Sequence, residues 1–170
     1  MFNLVVIFCL FGVIFCAPPQ QRIVGGSPID ITQVPYQIAV GNATSIWCGG
    51  SIISEKFIVT AAHCFNDHDI TTEGFLVFVG MTKLNEINPS MAKGIVSVHV
   101  HPEYDRSTQS KDIAIMELND DLNFNTKVKK IDLPRFEEET PVNAYGYASG
   151  WGKLSENGPT SVNLQNSSEG

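Results

Sequence analysis

Basic residues are in short supply: 11 Lys and Arg stand against 18 Asp and Glu, for a formal net charge of −7. A surface of that sign repels polyanions, so nucleic acid is excluded as a partner. The small basic cluster Lys127, Lys129 and Lys130 is answered by Glu137, Glu138 and Glu139, and both groups read as solvated loop or edge residues. No stretch sustains a long helical period, and no internal repeat or low-complexity tract stands out, which excludes solenoids and disordered polar tracts. Long apolar runs are also missing: Phe2 to Phe15 is almost wholly apolar, but it falls short of the roughly 20 residues of a membrane span.

That run has the length of a signal-peptide core, and Cys16 and Ala17 supply small residues at a cut followed by Pro18 and Pro19. Its one departure from the usual pattern is the absence of a basic residue before it. Residues 1–16 are therefore expected to be a signal peptide, and the mature chain to be secreted and extracellular without a membrane span. Cysteine is scarce, with 4 in the chain, and removal of the leader takes Cys9 and Cys16 with it. One bridge can then form, between Cys48 and Cys64. Closing a loop of roughly 15 residues contributes about 3 kcal/mol in the loop-entropy model. Two reduced cysteines are the alternative, and they belong to the cytosol rather than to a secreted chain.

Metal chemistry finds little to work with. Two cysteines without a nearby pair of histidines do not make a zinc set. His99 and His101 lie two apart on an expected strand and share a face, yet the sequence places no third ligand. His68 reads as a surface-loop residue, and the stretch from Met81 to Met91 offers Glu86 as its one carboxylate, too few oxygens for calcium. No metal and no cofactor is expected. Asn42 and Asn166 each begin an Asn-X-Ser/Thr acceptor pattern for N-glycosylation, a short signal that is often unused.

What is present is a series of short β-rich runs: Tyr36 to Val40, Gly50 to Ala62, Leu76 to Val79, Gly94 to Val100 and Ile113 to Leu118. Gly, Pro, Asn and Asp separate them. Brief strands punctuated in this way point to an antiparallel sandwich or barrel. One of them delivers Thr60 Ala61 Ala62 His63 Cys64, placing an imidazole beside a half-cystine. Neutral imidazole takes up a proton near physiological pH, so His63 is a candidate general base. Upstream stands Trp47 Cys48 Gly49 Gly50 Ser51 Ile52 Ile53. Together these stretches resemble the histidine region of the trypsin and chymotrypsin family of secreted serine proteases.

The resemblance extends in both directions. Arg22 Ile23 Val24 Gly25 Gly26 looks like the family's activation junction, with residues 17–22 as a short propeptide. Cutting after Arg22 frees an ammonium on Ile23, which needs a carboxylate if it is buried. In the family that carboxylate immediately precedes the catalytic serine. Lys111 Asp112 Ile113 Ala114 Ile115 Met116 Glu117 Leu118 resembles the segment whose aspartate supports the histidine, and a carboxylate there fixes the tautomer and stabilises the imidazolium. Asp112 is the candidate orienter. Ala144 to Trp151 resembles the opening strand of a second unit, which Glu137 to Val142 would connect. The implied fold is all-β, a chymotrypsin-like antiparallel double β-barrel. Its first barrel spans about 23–136 and its second is only begun in about 137–170.

The match stops at Leu164 Gln165, where the family continues into an apolar strand and this chain runs Asn166 Ser167 Ser168 Glu169 Gly170. The family's nucleophile lies within Gly-Asp-Ser-Gly-Gly, and no serine here has that setting. Ser51 and Ser149 adjoin glycines but read as structural. The resemblance implies a zymogen of a trypsin-like serine endopeptidase. Its partners would be polypeptide substrates, an activating protease and protein inhibitors. The recorded polypeptide alone is expected to be inactive and, with sheet edges and apolar faces left uncovered, prone to aggregate. The alternatives are a secreted non-catalytic homologue acting as a binding module, or an unrelated structural β-protein, which accounts for the composition but not for the ordered motifs.

Overall fold

The computed structural model describes residues 23, 26–65, 72–139, 141–155 and 158–169. The expected signal peptide, the propeptide with Arg22, and His68 lie outside the described residues. Nine strands follow in order: β1 (Ser27–Pro28), β2 (Gln37–Gly41), β3 (Ile46–Ile52), β4 (Phe57–Thr60), β5 (Leu76–Val79), β6 (Ala92–Val100), β7 (Ala114–Leu118), β8 (Gly146–Gly150) and β9 (Gln165–Glu169). Short 3-10 turns are the helical elements among the described residues.

Six of the strands close an antiparallel barrel in the order β2-β3-β4-β7-β6-β5, and β1-β9-β8 form a separate sheet. The alternation of side chains along a strand explains how the two are joined. On β2, Ile38 and Val40 point into the barrel core while Ala39 faces a second apolar cluster; on β5, Val77 and Val79 point inward while Phe78 faces the second cluster. These two strands are a wall shared by both cores, which is why all five residues of β2 are buried. The barrel core is completed by Ile52, Ile58, Ala114, Met116 and Leu118, and the second cluster by Ile31, Met81, Trp151 and Leu164. Each fully buried aliphatic side chain contributes about 1.5–3 kcal/mol.

Polar contacts fasten the small sheet to the barrel. Leu164 N donates to Thr82 O at 2.8 Å and Leu84 N to Val162 O at 2.9 Å. Trp151 Nε1 also donates to Thr82 O, at 3.1 Å, and Ser149 Oγ donates to Gln37 Oε1 at 2.7 Å. The chymotrypsin-like first barrel is therefore closed, and a second barrel is partly present.

Two expectations about the strands change. The run from Gly50 to Ala62 is two strands, because Ser54 Oγ accepts from Lys56 N and Phe57 N and turns the chain back on itself. The residues after Leu164 are also a strand, although they are polar. β9 pairs along its whole length with β8 and, at Gln165 and Asn166, also with β1, and this ladder holds the backbone extended whatever its side chains prefer. The buried amide of Gln165 donates to Ser161 Oγ at 3.0 Å and to Asn163 O at 3.3 Å.

Candidate active site

The stretch from Thr60 to Cys64 leaves β4 and tightens at once into a 3-10 turn, Ala62–Cys64. Ala62 is buried and anchors the turn in the barrel core, which carries His63 to the barrel's edge. Thr60 Oγ1 donates to Gly49 O at 2.6 Å, and Cys48 is joined to Cys64 by a disulfide with Cα atoms 6.2 Å apart. The turn is thus tied to β3 by a hydrogen bond and by a covalent bond.

Asp112 reaches the same place from the other side of the sheet. Lys111, just before it, has φ 58°, a left-handed conformation that side-chain-bearing residues adopt at some cost. Ile113 N donates to Lys111 O at 2.8 Å across Asp112, and His101 N donates to Ile113 O at 3.0 Å. This sharp entry into β7 aims the carboxylate at the histidine turn. Asp112 Oδ1 accepts from the His63 backbone N–H at 2.8 Å, and Asp112 Oδ2 lies 2.7 Å from His63 Nδ1. An ionised carboxylate only accepts, so Nδ1 carries a hydrogen, and in the neutral ring the lone pair is then on Nε2. Both side chains are part-buried, at 36% and 22% exposure. His63 lines a cleft of about 860 Å³ between the barrel and the small sheet, together with Cys48, Cys64, Ser51 and Ser149.

Beyond this geometry, residues 23–168 match the sequence model of the family described as Trypsin. The chain belongs to the trypsin family. It is 37% identical over 155 residues to the trypsin of Simulium vittatum, covering 86% of this chain and 61% of that protein. It is 35% identical over 155 residues to hypodermin-B of Hypoderma lineatum, covering 89% of this chain and 58% of that protein. The chain thus spans about three fifths of the length of the curated relatives it matches.

The electrostatics of this trypsin-family site favour an ionised Asp112. Burial pushes its carboxyl upward, but the hydrogen bonds from the His63 side chain and backbone, and the attraction of the imidazole, outweigh it and hold Asp112 below the usual carboxylate range. Ser51 and Ser149 share the cleft, yet among the described residues neither is hydrogen-bonded to His63. Ser149 Oγ instead donates its hydrogen bond to Gln37 Oε1.

Other sequence-derived candidates are dispersed. Ile23 is buried, and its backbone N–H donates to Lys153 O at 2.9 Å beside the same cleft. Asn42 sits at the tip of the β2–β3 hairpin, where its Oδ1 accepts from Thr44 N, Thr44 Oγ1 and Ser45 N. Asn166 is half-buried in the middle of β9, with Oδ1 enclosed and without a hydrogen-bond partner. His99 Nε2 lies 3.1 Å from Ser97 Oγ, whereas His101 Nδ1 accepts from Glu103 N, so the two histidines serve separate local contacts. Among the described residues the structure assembles one ligand group that sequence spacing hid: Cys48, His63 and Cys64 each offer an atom within 4.8 Å of the others. Sequence reading also missed Lys111 and the bond from Thr60 to Gly49. No glycine or asparagine marks the first as left-handed, and the second appears only once β3 and β4 are aligned.

Proposed function

We propose that this chain is the histidine and aspartate half of a secreted trypsin-like serine endopeptidase, with His63 as general base and then general acid and Asp112 as its orienter. The observation that carries this reading is the pair of contacts from Asp112 to the Nδ1 and the backbone N–H of one residue, 49 positions away in sequence. Such a carboxylate holds the ring in the tautomer whose Nε2 can take a proton from a hydroxyl, and it stabilises the imidazolium formed during attack. The reaction is acyl transfer to a serine followed by hydrolysis of a polypeptide substrate. That serine, in the family's Gly-Asp-Ser-Gly-Gly, is not among these 170 residues. The 170-residue polypeptide by itself is therefore expected to be inactive.

On the same reading residues 1–16 are a signal peptide, residues 17–22 a propeptide, and an activating protease cuts after Arg22. The burial of Ile23 at the cleft supports this, since an ammonium released there must find a partner and can order its surroundings in doing so. Asn42, on an exposed hairpin tip, is the better placed of the two glycan acceptors. Protein inhibitors would occupy the same cleft as substrates. A non-catalytic binding homologue has no chemical need for the contacts between His63 and Asp112.

The experiment is a chimera in which this chain is continued by the second-barrel portion of the Simulium vittatum trypsin. Peptide hydrolysis is expected only after cleavage following Arg22 and is expected to vanish with His63→Ala, while the 170-residue chain resists labelling by a fluorophosphonate. A folded chimera that hydrolyses peptide equally well with His63→Ala would overturn the proposal.

A further inference from the structure

We propose that Cys48, Cys64 and His63 form a redox-gated site for a soft, thiophilic divalent metal, open when the disulfide is reduced and closed when it is oxidised. This does not rest on the proteolytic reading. The three donor atoms lie within 4.8 Å of one another, close enough that, once the sulfurs are released from each other and move apart, they can take three corners of a tetrahedral zinc or cobalt centre, with Zn–S near 2.3 Å and Zn–N near 2.0–2.1 Å. In the oxidised chain both sulfurs are spent on each other, and the site does not exist.

Three features of the fold keep the donors in place once that bond opens. Thr60 Oγ1 still donates to Gly49 O, fixing the residue after Cys48 to the strand that leads to Cys64. The β3–β4 pairs Ser51 with Val59 and Ile52 with Ile58 persist without the bridge. Asp112 continues to hold Nδ1 of His63, leaving Nε2 to coordinate. A carboxylate on the far nitrogen of a ligating histidine is the usual second partner of zinc sites, where it sets the tautomer and raises the basicity of the ligand. The fourth corner opens into the cleft that these residues line and is available to water.

The opening step uses a dithiol as reductant. One of its thiolates attacks the sulfur of Cys64, the less buried of the two residues, forming a mixed disulfide and expelling Cys48 as thiolate. Its second thiolate then attacks the mixed disulfide and expels Cys64, so the reagent leaves as a disulfide and two electrons have passed to the protein. The two protein thiolates take up two protons, and the metal displaces whichever remain on binding. Metal capture consumes the Nε2 lone pair, so a loaded site holds no free base.

The test uses the full chain with Cys9→Ser and Cys16→Ser, so that Cys48 and Cys64 are its remaining thiols, and Co²⁺ as the probe. The reduced chain is expected to bind one equivalent. Thiolate-to-cobalt charge transfer and tetrahedral d–d bands should appear, and Cys48 and Cys64 should be shielded from iodoacetamide. The oxidised chain should show none of this. Asp112→Asn should weaken binding about 10- to 100-fold, and His63→Ala by at least as much. If the reduced chain had unfolded, its cysteines would bind cobalt with no sensitivity to Asp112. Affinity unchanged from the unaltered reduced chain in both Asp112→Asn and His63→Ala, or absence of the charge-transfer band, therefore overturns the site.

Discussion

Asp112 illustrates how much of this molecule is decided by single groups. Its carboxyl is held below the ordinary value despite burial, chiefly by hydrogen bonds from His63. A depressed folded-state pKa means that the stabilisation is fully present above the unfolded value, near 3.9, and is lost as pH falls through the folded value. Asp30 and Asp105 are lowered in the same direction, first by hydrogen bonds from Thr32 and Ser107 respectively. Urea midpoints measured on acidification should therefore fall below about pH 4, and less steeply in Asp112→Asn than in the unaltered chain. Identical slopes would mean that Asp112 gains nothing from its contacts on folding. That His63 and Asp112 would meet was legible in the sequence because each stands in a long ordered motif. The left-handed turn at Lys111 that aims the carboxylate was not, since neither Lys111 nor Gln109, also at positive φ, is a residue that advertises such a conformation.

At the scale of elements, the pair Gly49 Gly50 was readable as part of a motif, but its physical reason comes only from the pairing of β3 with β4. A Cβ on Gly50 would lie 2.6 Å from Val59 O and 3.1 Å from Ile38 Cδ1, a backbone collision that no side-chain rotation relieves. Gly50→Ala is expected to cost about 1–3 kcal/mol, read as a lowered urea midpoint; a neutral result would mean that β3 and β4 are less closely apposed. Strand existence was largely legible, because the alternation on β2 and β5 matches two different cores and that on β7 matches the barrel core. The division of Gly50 to Ala62 was hidden because Ser54 Glu55 Lys56 contains neither Gly nor Pro, and Ser54 makes the turn with its side chain. β9 was hidden for the opposite reason: its composition argues against a strand, and pairing with β8, joined at one end by β1, overrides it.

Taken whole, the molecule is a closed barrel carrying a sheet whose outer strand, β8, has pairing on one side only. Phe136, Val142, Tyr145 and Tyr147 are exposed at 93%, 87%, 80% and 75%, on β8 and the segment leading to it. Apolar surface beside an unpaired strand edge invites association. Light scattering of the 170-residue chain should rise with concentration, and Phe136→Ser with Tyr147→Ser should reduce it; a concentration-independent monomer would contradict this reading of the surface. The expectation of uncovered edges followed from the sequence, whereas the closing of the first barrel by β5 against β2 needed the register. The central claim, that one barrel assembles a catalytic base and its orienter, is tested most directly by kcat of the activated chimera with Asp112→Asn. A fall of about 10⁴-fold, the general magnitude for turning such an aspartate into an amide, is the expected result, and an unchanged kcat in a folded enzyme would contradict it.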